Sequence, residues 1–333
     1  MRLGIIELSS LQVVSVIIDK EKLERKKIRL HYFKNKTDFI PNFDQIIRDQ
    51  TISISKFKNN VLPIIIRHIK FCSFVKPVVL KILCRGVYYS ATNSKEVFTV
   101  IENEIKKHRS HLLKLIVEPL SPSKASYYGF ISFLRTTRIN REAYSSVDIR
   151  LNELYFIKNK SLHVNINNDT TELSIFKGEN FNPTYSLSIG IINIYNSILN
   201  INLLTVKSIN EVFAEYSLKI QEELRSINTS KIDVYRVCIS SGIAFLIDGF
   251  EYEQERNEQY LYSLLENEIQ NLPKRLHSLR KNNATTQSLQ RIYISKVAGL
   301  FIAFEISKVY ENTTNYLNYA NTSIGAIYSL LEK

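Results

Sequence analysis

The order of apolar and polar residues predicts an α/β protein that opens with a strand hairpin. Two β-branched segments, residues 3–8 and 12–18, flank residues 9–11, a spacing typical of two strands joined by a tight turn. The apolar run at 77–83 predicts a buried strand, and apolar positions between 94 and 108 recur at helical spacing. Strands that alternate with helices in this way indicate an α/β domain.

The second half of the chain repeats this outline. Further strands are predicted between residues 146 and 189, with turns rich in asparagine rather than glycine. Long amphipathic stretches follow at 206–227, 252–272 and 289–307. The chain therefore ends in a mainly helical region.

A helix start signal at residues 121–122 marks the predicted domain boundary, because proline is favoured at the first helical position. We expect a first lobe over residues 1–122 and a second lobe with long helices over residues 123–309. Residues 310–333 are expected to pack back on the first lobe. Two domains also fit the usual size of about 150 residues per domain.

The composition is that of a folded, basic protein with little glycine. Of the 333 residues, 44% are hydrophobic and 23% are charged, which excludes a disordered or low-complexity chain. The formal net charge of +12 favours phosphate-rich or otherwise anionic partners. Only 9 glycines occur, far below the average usage of about 7%. This scarcity argues against a function that depends on glycine-rich phosphate loops.

Cysteine usage and the chain's first residues indicate the cytoplasm. Cys72, Cys84 and Cys238 form no CxxC pair, and an odd, sparse set favours buried thiols in a reducing compartment. The sequence begins with a strand rather than the charged and apolar segments of a signal peptide. The weakly polar stretch 186–204 carries four asparagines and predicts an amphipathic helix rather than a membrane span. We therefore expect a soluble cytoplasmic protein.

Five short segments occur in an order that matches a known family. They are residues 4–10 (GIIELSS), 120–130 (LSPSKASYYGF), 165–173 (NINNDTTEL), 186–190 (SLSIG) and 240–244 (SSGIA). Together they resemble the exopolyphosphatase/guanosine pentaphosphatase (Ppx/GppA) family of the actin-like phosphotransferase superfamily, over nearly the whole chain. The resemblance implies an α/β fold of two actin-like, ribonuclease H-like lobes with a cleft between them.

The loop glycines of that family are replaced here. Ser9 stands in place of the first-loop glycine, and Asn167, Asn168 and Asp169 stand in place of a triple glycine in the second loop. Glycines in such turns let backbone N–H groups approach phosphate oxygens, whereas side chains block that approach. The resemblance therefore implies that phosphate binding has been altered.

Charged residues have changed as well. By the resemblance, Val14 and Tyr89 stand where the family carries phosphate-binding arginines. Lys124, or Ser123, stands in place of the catalytic glutamate. A lysine cannot act as a carboxylate base, and near a phosphate it favours binding over hydrolysis.

The retained residues define a candidate site. The resemblance leaves Glu7, Glu118 and Glu172 as candidate catalytic carboxylates and Glu7 as the candidate metal ligand; Mg²⁺ is expected only if phosphate chemistry remains. The structural alternative for Glu7 is an acceptor that stabilises the turn, and for Glu172 a polar strand residue that faces solvent. The candidate ligand-binding residues are Ser9, Ser10, Asn93, Lys124, Asn168, Thr170, Thr171 and Gly242.

Basic clusters lie at residues 22–29, 106–114 and 274–281. They lack the interleaved aromatic residues that stack on single-stranded bases, so solvated faces are favoured over a nucleic-acid groove. His108 and His111 have the spacing of a metal-binding pair but lie in one of these clusters without a nearby carboxylate. We therefore expect a solvated helix end there.

Three functions remain open from the sequence. The leading hypothesis is a degenerate Ppx/GppA-like pseudoenzyme that binds a protein partner or an anionic phosphate-rich ligand in the interlobe cleft. The alternative is a remodelled phosphohydrolase or phosphotransferase, acting on polyphosphate, a nucleotide or an acyl phosphate. The third is nucleic-acid binding through the basic clusters. A homo- or heterodimer is expected.

Overall fold

The computed structural model describes residues 2–19, 34–41, 43–74, 77, 79–107, 114–136, 161–177, 180–181, 185–227, 234, 236–241, 255–256, 258–279, 285–310, 313–318 and 322–331. The chain divides into two compact units. The first comprises Met1–Ser132 with Thr322–Lys333, and the second comprises Phe133–Asn321. Each unit contains its own mixed β-sheet.

The first unit opens with antiparallel strands. Strand β1 (Arg2–Leu8) pairs with β2 (Gln12–Asp19), and β2 pairs with β3 (Lys34–Phe39). A separate small hairpin is formed by β4 (Ile47–Arg48) and β5 (Thr51–Ile52). The predicted opening hairpin is therefore present.

Two parallel strands complete the main sheet of this unit. Strand β6 (Val79–Cys84) pairs in parallel with β1, and β7 (Lys114–Pro119) pairs in parallel with β6. The strand order is β3-β2-β1-β6-β7, so β1 is central. Residues Leu3–Leu8 are all buried, as expected for a central apolar strand covered on both faces. Glu7 is the exception to the apolar character of this segment.

Helices connect the strands of the first unit. They are α1 (Phe43–Ile46), α2 (Ile54–Lys56), α3 (Leu62–Phe74), α4 (Val87–Ser90), α5 (Ser94–Lys107) and α6 (Pro122–Thr136). A π-helical turn, Phe57–Val61, leads into α3. Helix α5 buries Val97, Ile101 and Ile105, which share one face because they are spaced four residues apart. The predicted apolar repeat of this helix therefore forms its packing face.

The second unit is built on a seven-stranded sheet. Its strands are β8 (Ser161–Ile166), β9 (Thr171–Lys177), β10 (Asn180–Phe181), β11 (Tyr185–Leu187), β12 (Arg236–Ser240), β13 (Glu255–Arg256) and β14 (Thr314–Asn318). The order is β10-β9-β8-β12-β14-β13, and β11 also pairs with β9. Strands β8 and β9 form an antiparallel hairpin, whereas β8, β12 and β14 are parallel to one another. The second unit thus repeats the arrangement of the first.

Four long helices belong to the second unit. They are α7 (Ile191–Leu199), α8 (Val206–Ser226), α9 (Glu258–Leu279) and α10 (Thr285–Val309). The Thr205 hydroxyl caps α8 by accepting a hydrogen bond from the backbone N–H of Ser208 at 3.1 Å. Phe213 of α8 stacks on Phe301 of α10 with ring centroids 4.1 Å apart. Helices α8, α9 and α10 lie where the sequence predicts long amphipathic stretches, and α7 lies within the stretch 186–204 that predicts an amphipathic helix.

The C-terminal helix α11 (Thr322–Leu331) lies in the first unit. Its Ala326 and Ile327 are buried in the same apolar core as Ile5 of β1. A Cβ atom at Gly325 would lie only 1.7 Å from the backbone carbonyl oxygen of Tyr128, so α11 approaches α6 too closely for any side chain at this position.

The observed division of the chain differs from the predicted boundary at residue 122. Helix α6 begins in the first unit because its Ala125 and Tyr128 pack into the core of that unit. Residues 310–333 divide between the units, because β14 pairs with β12 in the second unit while α11 belongs to the first.

The predicted α/β architecture is confirmed. The sequence predicts a third strand at residues 30–33, which lie outside the described residues. The strand that pairs with β2 begins at Lys34, and its sequence, KNKTDF, is polar, as is common for the edge of a sheet. The strands predicted at 146–149 and 154–158 lie outside the described residues. The three cysteines are buried thiols, as expected, and burial raises the pKa of Cys72 to about 12. None of the described helices is long and apolar enough to cross a membrane.

Candidate functional site

The turn between β1 and β2, where the resemblance places a phosphate loop, is closed by its own hydrogen bonds. The backbone N–H of Ser9 donates to the carbonyl of Gln12 at 3.0 Å, and the Ser9 hydroxyl donates to the same oxygen at 3.1 Å. Ser9 and Ser10 are 3% and 0% exposed. Ser9 therefore stabilises the hairpin, and both candidate ligands are buried.

Glu7, two residues before this turn, takes part in a buried ion pair. Arg85 Nη1 donates to Glu7 Oε1 at 2.8 Å, and the Ser323 hydroxyl donates to Glu7 Oε2 at 2.5 Å. The same Nη1 atom donates to Thr322 Oγ1 at 3.1 Å. Both carboxylate oxygens of Glu7 are thus occupied by protein donors.

Arg85 is a residue of this site that the sequence did not single out. It follows β6 directly, and its backbone N–H donates to the carbonyl of Leu8 at 3.1 Å, which extends the pairing of β6 with β1. Gly86 comes next, with φ of 58°, and its left-handed geometry turns the chain into α4. In the sequence, Arg85 could have been noticed as a single arginine that follows a predicted apolar strand. That strand was a candidate to pair with the first strand, which ends near Glu7.

Glu118 lies between two lysines at the end of β7. Lys81 Nζ donates to Glu118 Oε2 at 2.8 Å, and Lys124 Nζ forms an ion pair with Glu118 Oε1. Lys124 also lies over the Tyr128 ring, 5.8 Å from its centroid, and its side chain is 46% exposed. The lysine at the family's catalytic-glutamate position is therefore paired with a neighbouring carboxylate.

These contacts shift the pKa values of both Glu118 and Lys124. Burial by itself would raise the pKa of Glu118, but the hydrogen bonds and charges of Lys124 and Lys81 outweigh it and lower that pKa. The hydrogen bond to Glu118 raises the pKa of Lys124. A carboxylate whose pKa is lowered in this way is a weak proton acceptor.

Asn93 is fixed by a backbone segment. Its side-chain carbonyl accepts from the N–H of Ile52 at 2.9 Å, and its side-chain amide donates to the carbonyl of Ile52 at 2.8 Å. Both ends of the amide group thus bind the small β4-β5 hairpin. This candidate ligand holds the hairpin beside the start of α5.

The turn between β8 and β9, the second predicted phosphate loop, is organised around Glu172. The Thr170 hydroxyl donates to Glu172 Oε1 at 2.6 Å. The side-chain amide of Asn165 donates to Oε2 at 3.1 Å, and that of Asn167 donates to the same oxygen. Glu172 is 1% exposed, so the alternative interpretation of Glu172 as a strand residue that faces solvent is wrong. Its carboxylate binds the side chains of its own hairpin.

The same turn supplies the acceptors for the start of α7. The backbone N–H groups of Ile191 and Ile192 donate to the carbonyls of Asn167 and Asn168 at 3.0 and 2.8 Å. A Cβ atom at Gly190 would lie 2.5 Å from the carbonyl oxygen of Asn168, so only glycine permits this approach. These two amides, which a phosphate would need at a helix N-terminus, are therefore already used.

Thr171 contributes to the same packing. Its hydroxyl donates to the carbonyl of Ile189 at 2.8 Å, which ties β9 to the segment that precedes α7. The side chain is fully buried. Thr171 thus holds the second turn in place, and Thr170 does so through Glu172.

A serine, a histidine and an aspartate also lie in series in the first unit. His68 Nδ1 is 3.0 Å from the Ser15 hydroxyl, and His68 Nε2 is 3.2 Å from Asp38 Oδ2. Ser15 is fully buried within β2, so no substrate can reach its hydroxyl. The arrangement belongs to the core rather than to a hydrolase site.

Several predicted features lie outside the described residues. They are Gly242, His108, His111 and the basic cluster at 22–29. Over the part of the chain that the structure describes, no group of three or more His, Cys, Asp and Glu side chains is arranged to hold a metal ion. Glu7 does not fit Mg²⁺ either, because both its oxygens are engaged and the Arg85 guanidinium 2.8 Å away repels a cation.

Comparisons with known proteins find no match by sequence but clear matches by structure. No protein-family model matches this sequence, and no curated protein matches it. Solved structures match along the whole chain. An exopolyphosphatase from Cytophaga hutchinsonii aligns with a TM-score of 0.68 at 12% identity, covering 100% of this chain and 98% of that one. An Aquifex aeolicus member of the Ppx/GppA family aligns with a TM-score of 0.64 at 14% identity, covering 100% and 98%.

This chain has the Ppx/GppA fold. A second structure of the Aquifex aeolicus Ppx/GppA phosphatase, its type II variant, agrees, with a TM-score of 0.63 at 13% identity over 99% of both chains. The resemblance inferred from five short segments is thereby confirmed at the level of the fold.

Within this Ppx/GppA fold, the three candidate carboxylates share one property. All six carboxylate oxygens of Glu7, Glu118 and Glu172 contact a protein donor or cation. Through these contacts each of the three carboxylates holds neighbouring segments of its unit together.

Proposed function

We propose that this chain is a degenerate member of the Ppx/GppA family that has lost exopolyphosphatase chemistry and acts by binding. Its ligand is a partner protein or an anionic, phosphate-rich molecule. The observation that carries the proposal is the occupation of all six oxygens of Glu7, Glu118 and Glu172 by protein groups.

The two turns support the same proposal. In the first, the Ser9 N–H is directed at the Gln12 carbonyl. In the second, the carbonyls of Asn167 and Asn168 face the N-terminus of α7. A phosphate anion needs N–H donors, and carbonyl oxygens repel it. Hydrolysis of a phosphoanhydride would thus lack both its base and these loop donors.

Lys124 supports a binding role. Its side chain is about half-exposed although its ammonium group is paired with Glu118. A lysine in this position can attract an anion without activating water. Among the candidates from the sequence, Lys124 is thus the residue best suited to contact an anionic ligand.

Two assays on the wild-type protein test the proposal. Phosphate release from polyphosphate, GTP and ATP is measured with Mg²⁺, and we expect no release above that of the protein-free reaction. Release that grows with protein concentration, and that the Glu172→Gln variant loses while still folded, would support the remodelled phosphohydrolase instead.

Thermal unfolding with the same anions tests the binding role. A ligand that binds only the folded protein adds about 2.7 kcal/mol of stability at a hundred times its dissociation constant. Lys124→Ala should weaken any such shift, while Lys95→Ala, which removes an exposed lysine of α5, should not. Equal loss in both variants would indicate general charge attraction. No shift with any anion would direct the search to protein partners.

A further inference from the structure

The outer face of α3 carries a stripe of basic side chains that ends in an exposed phenylalanine. Pro63, Arg67, Lys70 and Phe74 follow one another at spacings of four, three and four residues, so they lie on one side of the helix. All four are exposed, whereas the opposite side of α3 is buried in the first unit. Phe74 is 89% exposed, more than any other large hydrophobic side chain in the described part of the chain. The stripe therefore presents both charge and an aromatic ring to the surroundings.

The surroundings of the stripe are basic as well. Segment 50–95, which includes α3, contains no aspartate or glutamate. Lys56 and Lys58, just before α3, are exposed and extend the positive charge beyond the stripe. Asp38 of β3 lies 3.5 Å from Arg67 Nη2 and balances one of these charges. The face as a whole remains positive, which favours an anionic partner.

The shape of the stripe indicates which anionic partner fits. From Pro63 to Phe74 it is about 17 Å long, at about 1.5 Å of rise per residue. A stable protein partner needs about 800 Å² on each side, which one stripe of a helix does not supply. Single-stranded nucleic acid stacks on successive aromatic rings along a basic groove, whereas this stripe has one ring at its end. A flat anionic lipid surface needs only cations at the headgroups and an aromatic ring at the interface.

We propose that the outer face of α3 binds an anionic phospholipid surface, with Arg67 and Lys70 at the headgroups and the Phe74 ring inserted beside them. Each lysine or arginine near such a surface strengthens binding about fivefold, and salt weakens this contribution. The inference goes beyond the proposed function, because it concerns the surface that holds the protein and not the ligand of its turns. Polyphosphate hydrolysis by the wild type would contradict the proposed function but leave the results below unchanged.

Sedimentation with vesicles tests the role of charge. The full chain is mixed with vesicles of phosphatidylcholine, either alone or with about 30% phosphatidylserine. We expect binding only to the anionic vesicles, and weaker binding as salt is added. Lys70→Glu should weaken binding at least about tenfold, because attraction is replaced by repulsion. Lys95→Glu makes the same change of net charge on the exposed side of α5 and should weaken binding less than about twofold. Equal loss in the two variants would overturn the proposal, as would no binding by the wild type.

Fluorescence tests the insertion of Phe74, because the chain contains no tryptophan. In Phe74→Trp, the emission should shift to shorter wavelength on anionic vesicles as the ring leaves water. Leu203→Trp replaces a leucine that is 76% exposed in the second unit, and its emission should stay unchanged. Phe74→Ser should weaken sedimentation about tenfold, since the apolar ring is gone.

Three outcomes would overturn the proposal. The first is unchanged emission of Phe74→Trp on anionic vesicles, and the second is an equal shift in Leu203→Trp. The third is a shift that single-stranded DNA causes in Phe74→Trp and that vesicles do not, which would assign the stripe to nucleic acid. Circular dichroism of each variant confirms that the comparison is made between folded proteins.

Discussion

The two units place a buried glutamate beside the same kind of turn but satisfy it in different ways. Glu7 of the first unit is paired with the charged Arg85, 78 residues away in sequence, and accepts a hydrogen bond from Ser323, 316 residues away. Glu172 of the second unit accepts from neutral side chains within 7 residues, Asn165, Asn167 and Thr170. One carboxylate therefore joins distant parts of its unit, and the other organises its own hairpin.

This difference shows what each position contributes. A charged partner makes the first carboxylate costly to remove, because the buried Arg85 guanidinium then loses this ion pair. Neutral partners make the second easier to replace, because amides and hydroxyls can form other hydrogen bonds. Glu7 thus holds distant segments of the first unit together, whereas Glu172 fixes the shape of one turn in the second unit.

The largest expected effect is at Glu7. We expect Glu7→Gln to lower the free energy of unfolding by roughly 3–5 kcal/mol, because the variant breaks the buried ion pair between Glu7 and Arg85. Chemical denaturation measures this loss. The double variant Glu7→Leu with Arg85→Met should be more stable than Glu7→Gln, since it removes both charges. If the double variant loses as much stability as Glu7→Leu and Arg85→Met lose together when measured singly, the two residues are not coupled.

Glu172→Gln should cost less. We expect a loss of about 1.5–3 kcal/mol, the range for hydrogen bonds to a charged group, because one carboxylate oxygen becomes an amide that opposes the amide donors. Denaturation under the same conditions as for Glu7→Gln gives the direct comparison. A loss as large as that of Glu7→Gln would mean that the nature of the partners does not decide the cost.

Each unit also contains a buried histidine that makes its stability depend on pH. Burial lowers the pKa of His68 in the first unit to about 4, against an opposing effect of Asp38, and lowers the pKa of His163 in the second unit to about 3. Both values lie below the ordinary value of 6.5. The contribution of each neutral histidine to the free energy of unfolding is therefore complete above pH 6.5, and it is lost as the pH falls toward the folded-state pKa.

We expect each histidine to cost about 2 kcal/mol of stability between neutral pH and about pH 5. His163→Gln should therefore reduce the acid sensitivity of unfolding by that amount, and His68→Gln should do the same. Denaturation curves across this range provide the measurement. If His163→Gln unfolds with the same pH dependence as the wild type, His163 is not neutral in the folded protein.

The smallest expected effect is at Lys124. Because its ion pair with Glu118 is partly exposed, Lys124→Ala should change stability by less than about 1 kcal/mol. The same variant should raise the pKa of Glu118, since one of the two lysines that lower it is gone. NMR titration of the Glu118 carboxyl carbon would show this change. An unchanged pKa would leave Lys81 as the dominant partner.

The fold was predictable from the sequence to the extent that its pattern is local. The β1-β2 hairpin and the helical spacing of Val97, Ile101 and Ile105 are periodic features, and each appears in the structure. A third strand was predicted at residues 30–33, whereas the observed β3 begins at Lys34 and has no apolar alternation from which its bounds could be predicted. Its place follows from pairing with β2, which is a tertiary interaction.

The site was less predictable, for a physical reason. Glu7 and Glu172 could be identified by position, but their partners could be known only in part. Asn165 and Thr170 are neighbours of Glu172 in sequence, whereas Arg85 and Ser323 reach Glu7 only through the pairing of β1 with β6 and the return of α11. The resemblance indicated which residues had been lost, and the structure shows what the retained ones bind.

The most direct test of the account is phosphate release from polyphosphate by the purified wild-type protein with Mg²⁺. Because the oxygens of Glu7, Glu118 and Glu172 are held by protein groups, the account predicts release equal to that of the protein-free reaction. Release that rises with protein concentration, and that a folded Glu172→Gln variant does not show, would contradict it.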